Sequence, residues 1–296
     1  MSDLRPFRFG VYASGISPGQ HWADLARAVE DRGYATLVMP DHLDGQLSPI
    51  PALATAAAVT STLRIGTFVL SNELRHPLLV AHDAATLDIL SGGRFELGLG
   101  AGWRRATFDR LGVAFDHAGD RVRRLAEAAT IVRGALDDPE FSFAGAHYQV
   151  NPDPDRPMPV QRRVPILVGG GGPQVLSLAA RQADIVGVNP DLRSGDIPDF
   201  AADVKGTVTD AQLSWVRKAA GGRYPGLEIN VLLLTVHIGD MGMTPPNASP
   251  HVLVGTVDSA VDLLLERRER WGISYVVVPI PAMAAFAPVV ERLTGR

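Results

Sequence analysis

At 296 residues the chain has the usual length of one α/β barrel, and residues 1–296 are read as a single domain. Its 46% hydrophobic and 20% charged residues describe a packed globular chain, and no apolar run reaches the length of a bilayer span. A net charge of -4 gives no footprint for nucleic acid or an acidic membrane, and the absence of cysteine excludes disulfides, thiolate nucleophiles and zinc–thiolate sites.

The amino terminus, MSDLRPFRFG, lacks the apolar stretch of a signal peptide, so the cytoplasm is the expected compartment. Strand-like apolar runs then alternate with helical patterns, the signature of repeated βα units. Phe7 to Tyr12 is the first run, followed by a helix over Gln20 to Arg32 that Gly33 closes. The second run, Ala35 to Met39, ends in Pro40-Asp41-His42. An alanine-rich helix over Ala52 to Ser61 leads to the third run, Leu63 to Leu70, and Pro77 opens a helix over Leu78 to Leu90.

The fourth run, Arg94 to Gly100, lies inside GGRFELGLGAGW, where large apolar residues alternate with small ones and the chain empties into a glycine-rich turn. Glycines there let a planar ligand lie against bare backbone, and equally suit a tight turn or a crowded barrel interior. An amphipathic helix spans Ala118 to Leu136, a small hairpin Phe141 to Val150, and a proline-rich connection Asn151 to Pro159.

Pro165 to Val168 is the fifth run and enters four glycines, Gly169 to Gly172, before Pro173 starts a helix. Ala183 to Val188 is the sixth run, Leu227 to Ile238 a long seventh, and Tyr275 to Pro279 the eighth. Helices are expected over Asp210 to Ala219, Asp258 to Trp271 and Ala282 to Leu293. Two excursions, Asp191 to Gly206 and Gly239 to Pro250, interrupt the pattern as candidate lids. The count is that of an α/β fold of the (β/α)8 TIM-barrel type with insertion loops at strand ends; a doubly wound sheet lacks its G-x-G-x-x-G after the first strand.

In a barrel the residues after each strand face the active site. His42 stands at such a position and can move a proton near neutral pH, or cap the next helix. Glycines 170 to 172, with the helix that Pro173 opens, expose backbone N–H groups and a positive helix end, which suit a phosphate. Arg104 and Arg105 can add a charge-assisted grip or stay solvated. His76, His82, His117 and His237 do not form a metal pattern, since no His-x-His lies on a strand and His82 falls within a helix, so no metal is expected. No G-x-S-x-G supports a serine hydrolase.

Four segments in this order, Pro40-Asp41-His42, LRIGTFVL with Arg75-His76-Pro77, SGGRFELGLGAGW, and PILVGGGG leading to AARQADIVG, resemble the luciferase-like monooxygenase superfamily. Within it they resemble the actinobacterial branch of oxidoreductases that use the deazaflavin coenzyme F420. The resemblance covers nearly all the chain and implies the barrel, a homodimer, and hydride transfer between F420 and an unidentified small organic substrate. It implies a non-proline cis peptide at Phe68–Val69 behind the cofactor ring, the cofactor phosphate on Gly170, Gly171 and Gly172, and Asp41, Gly102, Trp103 and Arg104 near the cofactor. His42 matches a histidine that acts as acid or base in the sugar-phosphate dehydrogenases of this group.

Those dehydrogenases also carry a glutamate and a tryptophan where this chain has Ala101 and Gln46, so sugar-phosphate oxidation is not expected. Asp41, Glu73 and Tyr12 stand close enough to strand ends to be considered as proton donors. An FMN-dependent monooxygenase on the same fold and a cofactor-binding barrel without turnover are the alternatives.

Overall fold

The computed structural model describes residues 4–15, 21–192, 206–240 and 249–296. Strand β1 (Arg8–Tyr12) is followed by helix α1 (Trp22–Asp31), and β2 (Thr36–Met39) by α2 (Pro49–Val59). Strands β3 (Arg64–Thr67) and β4 (Leu70–Ser71) precede α3 (Pro77–Ser91), and β5 (Phe95–Gly100) precedes α4 (Arg105–Leu111) and α5 (Ala118–Asp137). A hairpin of β6 (Phe143–Ala144) and β7 (Gln149–Val150) leads to β8 (Ile166–Gly170), α6 (Pro173–Gln182), β9 (Ile185–Val188) and α7 (Thr207–Ala220). The chain closes with β10 (Glu228–Leu232), β11 (Thr235–Ile238), β12 (Val252–Gly255), α8 (Val257–Trp271), β13 (Ile273–Pro279) and α9 (Met283–Leu293).

Eight of these strands form a closed parallel barrel in the order β3, β2, β1, β13, β10, β9, β8, β5, with β5 pairing back to β3. The expected (β/α)8 barrel is therefore observed. Its helices begin and end where local chemistry directs. The His76 ring accepts the Leu78 N–H at 3.2 Å at the start of α3, and Gly92, at φ 65°, supplies the left-handed turn that ends it.

Several features depart from the expected pattern. The seventh run divides, because Leu233 donates to the Val277 carbonyl while Leu234 donates to that of His251, which carries the chain off the barrel. The second half, β11, pairs with β12 in a separate parallel ribbon, a strand too short to read from its four residues. The third run breaks at the Phe68–Val69 peptide, which is cis as the resemblance implied. Helix α4 had not been expected, being only seven residues long before Gly112 ends it. The helix after the second strand starts earlier than expected because Pro49 takes its first turn. The two excursions offered as lids lie largely outside the described residues.

The main core fills the space between barrel and helices, where Phe9 packs on Phe286 at 5.8 Å and the Trp22 indole donates to the Ala52 carbonyl at 2.7 Å. Inside the barrel Val38, Phe68, Leu167, Ile185, Tyr275 and Val277 form a second cluster. Beneath it the strand starts bring charges together: Arg8 bonds Glu96 and Glu228, each at 2.6 Å, and Arg64 reaches Glu96 at 2.5 Å. Burial alone would raise the Glu96 carboxyl, but the Arg8 and Arg64 guanidiniums outweigh it and hold it below its ordinary value. This ionic layer underlies the core at the amino-terminal ends of the strands. No helix among the described residues is long and apolar enough to cross a membrane.

Candidate active site

The carboxyl end of β2 delivers Asp41 and His42 side by side, and they have different surroundings. Asp41 accepts from both terminal nitrogens of Arg75, Nη2 at 3.0 Å, and from the Ser71 N–H at 3.1 Å. It therefore ties the end of β2 to the turn after β4. His42 is half-buried and meets the Trp103 ring edge-on, with centroids 5.8 Å apart. Burial, and then the Arg104 guanidinium, lower the His42 pKa; Asp41 and Asp44 oppose the shift without cancelling it. The net shift favours the neutral imidazole.

The glycines at the end of β5 are packed closely against the chain that follows β3. A Cβ on Gly98 would lie 2.1 Å from the Thr67 carbonyl oxygen, and one on Gly100 2.6 Å from a Val69 methyl. The Val69 side chain, directly after the cis bond, occupies the space these glycines leave, and Phe68 meets Tyr12 edge-on at 6.1 Å. Gly102 has φ 72° and approaches Ser71, so that a Cβ there would stand 2.6 Å from the Ser71 hydroxyl oxygen. That hydroxyl is buried and makes no hydrogen bond. These glycines are thus needed for close packing against Thr67, Val69, Ser71 and Phe108, and the unpartnered Ser71 hydroxyl is the one polar group of this packing left for a ligand among the described residues.

At the end of β8 the glycines have two duties. A Cβ on Gly170 would strike Val175, and one on Gly171 would lie 2.3 Å from the Pro190 carbonyl oxygen, so both are needed for close packing whatever is bound. Gly172 is the cap residue of α6 and offers no side chain to its N–H groups, which leaves the first turn free to bind an anion. Gln212 braces this turn by donating to the carbonyls of Gly171 at 3.0 Å and Asn189 at 2.8 Å. Gln212 carries no sequence signal of this role, since nothing in a helical glutamine points to a partner so far away in the chain.

The remaining candidates have the following partners. Arg104 and Arg110 both pair with Asp44, while Arg105 pairs along α4 with Asp109 at 3.6 Å. Glu73 is held by Arg124 at 2.9 Å, and burial raises its pKa. Tyr12 is pushed up to about 12 by burial. Gln46 donates to the Pro40 carbonyl at 2.8 Å and so serves the scaffold, while the backbone carbonyl of Ala101 accepts from Arg121 at 3.2 Å, a bond independent of the side chain at 101. His76 and His117 cap helices α3 and α5.

Comparison with known proteins gives this geometry a family. The profile described as luciferase-like monooxygenase matches residues 4–207. The F420-dependent glucose-6-phosphate dehydrogenase of Microbacterium testaceum is 34% identical over 190 residues, 60% of this chain and 55% of that protein. The 5,10-methylenetetrahydromethanopterin reductase of Methanopyrus kandleri is 30% identical over 179 residues, 56% of this chain and 51% of that protein. The chain thus spans about half the length of these relatives. The solved structure of the coenzyme F420-dependent tetrahydromethanopterin reductase from Methanopyrus kandleri superposes with a TM-score of 0.78 at 19% identity, covering 97% of this chain and 98% of that one, and shares the barrel. With the family profile matched over more than half its residues, this chain belongs to the luciferase-like monooxygenase family.

Proposed function

We propose that the chain is an F420-dependent oxidoreductase acting on a small organic molecule. The F420-dependent relatives support the cofactor, and the observation that carries the reading is the half-buried His42 imidazole set edge-on against Trp103 at the strand ends. When bound, F420 takes or gives a hydride at the deazaflavin carbon. The chain supplies the rest. Gly98 and Gly100 let Val69 seat behind the ring, Gly102 turns the chain after β5, and Phe68, Val69, Trp103 and Arg104 surround the ring. The first turn of α6 after Gly170, Gly171 and Gly172 donates to the phosphate. An imidazole nitrogen of His42 takes the substrate's proton on oxidation and returns it on reduction. Asp41 holds that histidine's segment through Arg75 rather than exchanging protons itself.

The proposal extends to a homodimer through α2 and α3. Helix α2 has no charged residue, and α3 exposes Leu79, Ile89 and Leu90, at 62%, 42% and 61%. Such a face is unusual on a solvated helix and suits a second copy of the chain. The enzyme reading is tested by following F420 absorbance with a panel of small alcohols, aldehydes and imines. Turnover that falls in His42→Ala supports it, whereas equal turnover in that variant removes His42 from the reaction.

A further inference from the structure

We propose that the groove between α5 and α6 binds the carboxylate-bearing tail that F420 carries beyond its phosphate, an inference that rests on the F420 assignment above. The groove has a volume of about 450 Å³ and lies on the outside of the barrel. Its upper end is formed by Gly119 in the first turn of α5 and by Pro173 and Gln174 in the first turn of α6. Pro173 at that end directly follows Gly172 in the chain, beside the turn proposed above to hold the phosphate. The lower part is lined by Arg123 and Arg181 over an apolar floor that includes Val122 and Leu178.

The dimensions and charge suit a chain of acids. From Pro173 to Arg181 the helix rises by ~12 Å, the reach of roughly three or four extended peptide-like units. The positive ends of both helices lie at the top of the groove, and an arginine from each wall follows. Arg181 makes no ion pair among the described residues; Arg123 pairs with Asp120 of its own helix, in an exposed bridge that a second carboxylate can share. A ligand that stops at its phosphate, as FMN does, leaves these groups unused. The groove therefore gives this chain a means of preferring F420 that does not involve the ring.

Equilibrium titration of the protein with three probes tests this: F420 bearing its oligoglutamate tail, F420 ending at the phospholactyl group, and FMN. The long-tailed form is expected to bind roughly tenfold tighter than the tail-less one at low salt, from two exposed charged contacts, and the gap should shrink as salt rises. Replacing both arginines, Arg123→Gln with Arg181→Gln, should close the gap while leaving tail-less affinity unchanged. Ser177→Glu, which sets a negative charge in the groove one turn from Arg181 while keeping both arginines, should weaken the long-tailed form alone. Equal binding of the two F420 forms, or equal losses for both in the variants, overturns the inference while the F420 assignment stands. Binding of neither form overturns both.

Discussion

The His42 imidazole meets the Trp103 indole edge-on, ring centres 5.8 Å apart and planes at 85°. The contact sets one titratable group of the strand ends against a rigid apolar surface, and burial is the first cause of its lowered pKa. A base kept neutral in this way is ready to accept a proton when a hydride leaves the substrate.

His42→Ala should lower turnover by roughly 10²- to 10⁴-fold, the usual contribution of a positioned acid or base, while F420 affinity and thermal unfolding stay near those of the parent. The pH dependence has a definite sign. The folded pKa is lowered from 6.5, so the neutral form persists below that pH and the acid limb of kcat/KM for oxidation should fall on the acidic side of 6.5. NMR titration of the His42 ring reads the same shift directly, and a value at or above 6.5 would contradict it.

Arg75→Gln should destabilise the fold by about 2–3 kcal/mol, because it leaves the largely buried Asp41 carboxylate without its cation; the value sits below that of a fully buried pair because Arg75 is partly exposed. Urea unfolding measures the loss. An unchanged midpoint would show that the Asp41 clamp does not hold the site together.

Substitution at Gly171 cannot separate packing from phosphate binding, since a Cβ there meets the Pro190 carbonyl oxygen. Gln174→Glu is the cleaner test. An acid in the first turn of α6 favours the helix dipole but repels a bound phosphate, so stability should hold or rise while F420 affinity drops by about 1 kcal/mol or a little more. Calorimetry of both quantities decides the matter, and unchanged affinity removes the α6 terminus from the cofactor site.

Leu79→Glu with Leu90→Glu should turn a dimer into a monomer at unchanged fold, because each charge would be buried on the α2–α3 face. Sedimentation velocity checks this. A parent chain that sediments as a monomer overturns the dimer outright.

The elements that position the site were legible in the sequence because each is local. Pro40-Asp41-His42 after an apolar run and four glycines before Pro173 are read without knowing what lies across the barrel. The barrel count, and the Phe68–Val69 cis bond through the resemblance, followed in the same way. The pairings were not legible. Asp41 meets Arg75 from 34 residues away, and Gln212 reaches Gly171 across 41, distances at which no periodicity speaks. The seventh run looked like one strand because hydropathy records burial, not which carbonyl accepts the bond; Leu233 and Leu234 part company only in their partners. The glycines at 170 and 171 read as a phosphate cradle or a plain flexible turn, and the close packing against Val175 and Pro190 that also requires them has no local signal.

The most direct test of the account is a side-by-side titration of the ligand-free protein with F420 and FMN, followed by tryptophan fluorescence, to which Trp103 contributes at the strand ends. Quenching with tight binding by F420 and little response to FMN is the predicted result. Preferential binding of FMN would contradict the account and move the chain to the monooxygenase chemistry of its family.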